Sequence, residues 1–292
     1  MKRSIVLFFL VISCFGMALA QKKKSVGSAG LEQLPASLPA STKWTLDAAG
    51  ELQRVAIKSV VFLACPATGL KGTGFIIYDG LVVTNNHVVN GCTPEQMIGI
   101  SVFGTRIMFT KMATDPVVDL ALLRPSTELS GGLQLAETDN VPVGASVSTW
   151  GYPLQFNGPA PLLGTGFVAG YLEDGNGDRK VRHLVVDGAI NPGNSGGPLF
   201  AASDDKVIGI VVAKFLPYSP AVEQIINAMS KNSSGLIYNG TDGSGKPVTY
   251  TEGQLVAKVL QEFYNGTQVM IGEAIAVSEL RTLISAKEAE LK

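Results

Sequence analysis

Asn191-Pro192-Gly193-Asn194-Ser195-Gly196-Gly197-Pro198-Leu199 sets one serine among three glycines, then a proline and an apolar run. Glycine reaches backbone conformations closed to other residues. The serine is therefore expected on a tight turn, its hydroxyl exposed and backbone N–H groups turned toward the same point. A glycine-rich turn before a strand is also an ordinary structural feature. The remainder of the chain decides whether this serine is a nucleophile.

A nucleophilic serine needs a base, and the chain has two histidines, His87 and His183. His183 lies mid-strand in Arg182-His183-Leu184-Val185 and reads as structural. His87 follows the apolar run Leu81-Val82-Val83-Thr84 in Asn85-Asn86-His87-Val88-Val89. An orienting carboxylate comes from Asp119, at the mouth of Leu120-Ala121-Leu122-Leu123. Half buried there, it wants a donor such as an imidazole N–H. Gly193-Asn194-Ser195-Gly196-Gly197 also fits G-x-S-x-G, the nucleophile elbow of α/β-hydrolases. That fold requires a histidine after the serine, and none follows Ser195. The order His87, Asp119, Ser195 is the one used by two-barrel serine proteases.

The rest of the chain fits such a scaffold. It has 292 residues, 33 of them glycine, and only 16% are charged, against about 25% for an average soluble protein. Short strands are predicted at Val55–Leu63, Gly72–Tyr78, Leu81–Thr84, Ile98–Phe103, Arg106–Lys111 and Leu120–Leu123. Further strands are predicted at Ala145–Trp150, Gly164–Tyr171, Val181–Val186 and Val207–Ala213. Asp79-Gly80 is a hairpin signal. Many short strands at near-regular spacing indicate an all-β barrel or sandwich. After Lys214 the period becomes helical at Val222, Ile225, Ile226 and Met229, and again at Leu255, Val256, Val259, Leu260 and Phe263. Lys231 to Lys246 between them is a Gly/Ser/Asn-rich connection. Val269–Ala276 is strand-like, and Ser278 is the expected N-cap of a last helix with Leu280, Leu283, Ile284 and Leu291 on one face.

The chain resembles the trypsin-like (chymotrypsin-fold) serine proteases, and within them the HtrA/Deg branch. Five pieces carry the resemblance in register: Gly72-Thr73-Gly74-Phe75-Ile76-Ile77, Thr84-Asn85-Asn86-His87-Val88-Val89, Asp119-Leu120-Ala121-Leu122-Leu123, Gly151-Tyr152-Pro153 and Asn191–Leu199. The resemblance covers about Val55 to Ala213 and resumes at Gly272–Ser278. It implies two six-stranded antiparallel Greek-key barrels, a helical insertion at about 215–268 and a C-terminal helix, all within one protease domain over 51–292. It implies a serine endopeptidase with His87, Asp119 and Ser195 as triad and the N–H groups of Gly193 and Ser195 as oxyanion hole; the alternatives are a catalytically silent binding protein of the same fold and an esterase using the same triad. It requires no cofactor and no metal, and its partner is a protein or peptide substrate.

The same resemblance locates a substrate pocket at Ala189, with Val211 and Lys214 on its wall. No acid stands at its base, so Arg or Lys at P1 is not expected, and a small or aliphatic residue is. Asn194 replaces the aspartate that pairs with a new N-terminus in digestive relatives, so activation by that cleavage is not expected. The PDZ domain usual in the branch is not expected either, because the chain ends on the protease's own strand and helix.

Residues 1–20 read as a signal peptide: Lys2-Arg3, an apolar run, then Ala18-Leu19-Ala20 as a cleavage site. Val11-Ile12-Ser13-Cys14 is the alternative lipoprotein signal, and a membrane role arises only if Cys14 is lipidated. Residues 21–50 read as a flexible linker. Export to the bacterial periplasm or beyond leaves Cys65 and Cys92, an even pair that permits a disulfide, with two buried thiols as the alternative. A net charge of −1 gives no reason to expect nucleic acid. Asp174-Gly175-Asn176-Gly177-Asp178 resembles the start of a calcium loop, but Arg179 and Val185 stand where Gly and Glu are needed, so it reads as an acidic hairpin turn. Asn232, Asn239 and Asn265 are N-glycosylation sequences, relevant only in a glycosylating host.

Overall fold

The structure is a computed structural model describing residues 38–129, 131–154, 156–174, 179–188, 190–202, 204–214, 220–241, 245–266 and 270–291. In chain order they form α1 (Ala40–Ala48), α2 (Glu51–Ser59), β1 (Val60–Cys65), β2 (Leu70–Ile76), β3 (Val82–Thr84), α3 (Asn86–Val89), β4 (Ile98–Ser101), β5 (Arg106–Asp115) and β6 (Leu120–Pro125). The second half holds β7 (Ser146–Gly151), β8 (Leu162–Asp174), β9 (Val181–Gly188), β10 (Pro198–Ala201) and β11 (Asp204–Lys214). There follow α4 (Pro220–Ser230), β12 (Ile237–Thr241), β13 (Pro247–Thr251), α5 (Glu252–Gly266), β14 (Ile271–Ala276) and α6 (Val277–Leu291).

Two closed antiparallel barrels result, in strand orders β1-β2-β3-β6-β5-β4 and β10-β11-β14-β9-β8-β7. Closure removes the exposed edges an open sheet would present. Alternate residues of the apolar strands go to different cores. On β6, Ala121 and Leu123 fill the first barrel while Leu120 and Leu122 join a seam between the barrels. On β11, Ile208 and Val211 fill the second barrel while Val207 and Ile210 reach the same seam. Strands buried on both faces read as continuous apolar runs rather than as alternation.

The C-terminal helix α6 straddles both halves. Leu280, Leu283 and Leu291 are buried in the seam. The Arg124 Nε of the first barrel donates to Leu291 O at 3.1 Å, and Arg281 donates to Ala136 O at 2.7 Å. Ser278, expected as an N-cap, lies inside the first turn, and its hydroxyl donates instead to the buried Asp139 carboxylate at 2.7 Å.

Three local expectations need correction. Val55–Ser59 is helix, not strand, and β1 begins at Val60. Val55, Ile57 and Val60 suggest extended chain by propensity, but Ala56 and Ile57 on one turn bury in the seam, and tertiary burial overrides that weak preference. Glu51 in the first turn and Lys58 in the last also suit the helix dipole. Within the stretch read as linker, α1 stands at Ala40–Ala48 with Thr42 buried, and Leu46 packs against the seam. Arg54 Nε ties α2 to α1 by donating to Leu46 O at 2.9 Å. The connection Lys231–Lys246 contains β12, which pairs with β13 in the register Ile237↔Thr251. The insertion is thus a helix–hairpin–helix unit, with α4 packed on α5. The predicted signal peptide, residues 21–37 of the linker and the centre of the acidic turn at 175–178 lie outside the described residues.

Candidate active site

His87 sits in the short helix α3, directly after β3. Because β3 pairs with β6 in the register Thr84↔Ala121, the residue entering β6 lies beside α3. That residue is Asp119. Its carbonyl accepts Asn86 N–H at 3.1 Å and Asn85 Nδ2 at 3.0 Å. Its carboxylate spans His87, with Oδ1 2.8 Å from the backbone N and Oδ2 2.7 Å from Nδ1. Asp119 has φ 60°, the one positive φ among the described non-glycine residues. Aspartate tolerates this left-handed conformation better than most side chains. An ionised carboxylate only accepts, so the proton of the neutral imidazole belongs on Nδ1 and the lone pair on Nε2.

A disulfide braces the same segment. Cys65 at the end of β1 is bonded to Cys92, three residues beyond α3, with Cα atoms 6.5 Å apart. Both cysteines are buried in the first barrel's core.

Ser195 belongs to the turn between β9 and β10. Gly193 and Gly196 have φ 98° and 85°, values that L side chains rarely adopt. A Cβ on Gly193 would strike Tyr152 O, and one on Gly196 would strike Thr73 O. The glycines thus let the loop press against both the first barrel and the 151–154 segment. The Pro192 carbonyl accepts Leu154 N–H at 2.9 Å, and the Asn194 carbonyl accepts Gly197 N–H at 2.9 Å. No peptide bond among the described residues is cis. In a trans peptide N–H points opposite to C=O, so the N–H groups of Gly193 and Ser195 point away from those anchored carbonyls. Neither has a hydrogen-bond partner among the described residues. These are the two donors expected of an oxyanion hole. The Ser195 hydroxyl itself donates to Val212 O at 2.6 Å rather than to His87.

The other expected residues fall as follows. Val211 is fully buried in the second barrel's core, because alternate residues of β11 point inward, and Val212 turns to the seam. Lys214 is placed by its backbone at the end of β11, opposite Gly272. Ala189 lies outside the described residues. Asn194 is buried beside Gly151, its Oδ1 lacking a partner among the described residues. His183 is buried on β9, its Nδ1 3.3 Å from Glu273 Oε2 but without hydrogen-bond geometry. Among the described residues no group of three or more His, Cys, Asp or Glu comes together to hold a metal. A hollow of about 950 Å³ between α2 and the second barrel touches none of His87, Asp119 and Ser195. Sequence reasoning missed Leu154 and Val212, which act through backbone atoms, and assigned Thr73 no role of its own beyond a strand and a shared motif.

Residues 72–210 match the family model of the trypsin-like peptidase domain. That stretch, a little under half of the chain, is similar to trypsin-like peptidase domains. Sequence relatives are named as serine proteases, several of them DegP-like. A probable periplasmic serine endoprotease DegP-like from Marinomonas sp. (strain MWYL1) is 37% identical over 141 residues, covering 48% of this chain and 29% of the relative. The putative serine protease HhoB from Synechocystis sp. is 32% identical over 144 residues, covering 49% and 34%. The chain thus spans only about a third of these relatives' lengths. Among solved structures, the Rv3671c protease in its inactive form superposes with TM-score 0.54 at 18% identity, over 81% of this chain and 92% of that one. The HtrA-type protease AlgW with decapeptide gives 0.52 at 21%, over 81% and 66%. Both likenesses are of fold.

Proposed function

We propose that this trypsin-like domain is an exported serine endopeptidase in which Ser195 is the nucleophile, His87 the general base and Asp119 its orienting acid. The observation that carries the reading is the two-point grip of Asp119 on His87, joined to two N–H groups, on either side of Asn194, that have no partner among the described residues. Ser195 Oγ attacks the peptide carbonyl while His87 Nε2 takes its proton, and the imidazolium then gives that proton to the leaving amine. Asp119 fixes the tautomer and stabilises the charged ring. The Gly193 and Ser195 N–H groups receive the oxyanion, a contribution of about 3–4 kcal/mol per donor in comparable sites. For this step the Ser195 hydroxyl has to give up its bond to Val212 O in favour of His87.

Export is supported by the signal-like residues 1–20, by the periplasmic naming of the relatives and by the Cys65–Cys92 disulfide, which suits an oxidising compartment. The lipoprotein alternative through Cys14 remains the competing route. The substrate is a protein or peptide, and a small or aliphatic P1 residue fits the uncharged Ala189. The Ser195–Val212 hydrogen bond favours one second reading, a silent binding protein of the same fold. Fluorophosphonate labelling together with casein digestion distinguishes the two. Labelling and digestion that disappear in Ser195→Ala are expected; an unlabelled, inert wild type would overturn the peptidase reading.

A further inference from the structure

Thr73, on β2 of the first barrel, is fully buried, and its polar atoms all meet the nucleophile loop or the segments beside it. Its N–H donates to Ser195 O at 2.9 Å. Its hydroxyl donates to Gly193 O at 2.6 Å and accepts Tyr152 N–H at 3.0 Å. Its carbonyl accepts the Thr84 hydroxyl at 2.7 Å. A hydroxyl has one proton to give and two lone pairs. Donating to Gly193 O while accepting from Tyr152 therefore leaves the rotor a single useful orientation.

The target of that donation matters. Two peptide planes meet at Gly193. The plane before it is held at Pro192 O by Leu154 N–H, and the plane after it at Gly193 O by Thr73. Glycine has little intrinsic resistance to changing φ and ψ, so the direction of its N–H is set by whatever holds the neighbouring planes. The bond from Asn194 N–H to Asn191 O, 3.0 Å, lies within the loop and moves with it. The Thr73 hydroxyl comes from the other barrel, the one that carries His87 and Asp119.

We propose that the Thr73 hydroxyl is a positioning group that fixes the Gly193 peptide relative to the first barrel, keeping the oxyanion donor in register with the base. This rests on the reading of Ser195 as nucleophile. A misplacement on the order of 1 Å at such a site costs about a hundredfold in rate, so a hydroxyl acting at one remove has measurable weight.

The test compares Thr73→Val, which keeps the shape and removes the hydroxyl, with Thr73→Ser, which keeps the hydroxyl. Thr73→Val is expected to lose about ten- to a hundredfold in kcat per folded molecule, with KM changed less than about threefold. The pH profile of kcat/KM should keep its wild-type shape, because the His87–Asp119 pair is untouched. Thr73→Ser should stay within about threefold of wild type. Thr73→Ala, which leaves room for water, is the second variant should valine disturb folding, and carries the same expectation. A rate loss that merely matches the loss of folded fraction by near-UV circular dichroism, or a folded Thr73→Val with wild-type kcat, overturns the proposal. Wild type and Ser195→Ala run in parallel: an inert wild type sinks the peptidase reading, whereas an active wild type with an unimpaired valine variant sinks only the role of Thr73.

Discussion

Asp119 grips His87 at two points: Oδ1 accepts the backbone N–H at 2.8 Å, and Oδ2 lies 2.7 Å from Nδ1 of the same residue. The backbone bond fixes the carboxylate against α3, and the side-chain bond then fixes the ring. With both oxygens used on one residue, the imidazole has one favoured tautomer and one favoured tilt.

Asp119→Asn should separate geometry from chemistry. Asparagine tolerates the positive φ of this position, so the fold and the backbone bond survive. Its amide N–H then faces Nδ1 and drives the ring proton to Nε2, where the lone pair is needed. The expected loss in kcat is about 10³–10⁴ with little change in melting temperature. Steady-state kinetics on a peptide substrate check this, and a loss below about tenfold contradicts the assigned role.

Asn194→Asp should destabilise the protein. The side chain is 3% exposed, and its Oδ1 has no partner among the described residues. A carboxylate there is a buried charge without compensation, costing about 3–5 kcal/mol at neutral pH. Burial raises the pKa of such a group, so the unfolded chain releases its proton first as pH rises. The deficit should therefore be small below about pH 4 and grow above it. Urea midpoints of variant and wild type, at acid and neutral pH, measure the difference. The native asparagine also predicts that chain beginning at Gln21 is active without a further N-terminal cut.

Tyr152→Phe should have the opposite effect. The phenol is buried, its hydroxyl has no partner among the described residues, and burial pushes its pKa well above the usual value of 10.0. Removing an unsatisfied hydroxyl is neutral or stabilising by up to about 1 kcal/mol. The sign with pH follows from linkage. A phenol with a raised folded pKa contributes stability fully below its unfolded value and loses it as pH climbs past about 10. The phenylalanine variant should show a shallower alkaline decline in melting temperature, and an identical decline in both proteins would refute the assignment.

Replacing Cys65 and Cys92 together by serine should cost about 2–4 kcal/mol, given a sequence separation of 27 residues. The enclosed loop carries His87, so kcat should fall as well as stability. Thermal melts and kinetics of the double variant, beside wild type treated with dithiothreitol, report both. A wild type unmoved by the reductant while the variant is destabilised would trace the loss to the serines instead.

Some of this was legible in the chain itself. The order His87, Asp119, Ser195, with no histidine after the serine, selected one catalytic topology among those that share a glycine-flanked serine. The apolar runs at Val82–Thr84, Leu120–Leu123 and Val207–Ala213 were readable as strands because each buries both faces. Val55–Ser59 was misread because β-branched residues favour extended chain locally, while the burial of Ala56 and Ile57 in the seam depends on residues far away in sequence. The helix α1 was missed for a similar reason: its composition is mixed, and its place depends on Thr42 and Leu46 reaching the core.

Side-chain identities determined which chemistry this protein can attempt and roughly where its strands run, because hydrophobic period and reactive groups are local properties. Only the tertiary structure decided how the serine's loop is held. The Leu154 N–H on Pro192 O, the Thr73 hydroxyl on Gly193 O and the Ser195 hydroxyl on Val212 O are contacts between segments distant in the chain. The atoms that orient the oxyanion donors are mostly backbone atoms. Every residue type but proline supplies the same N–H and C=O, so no sequence pattern marks which of them will be joined.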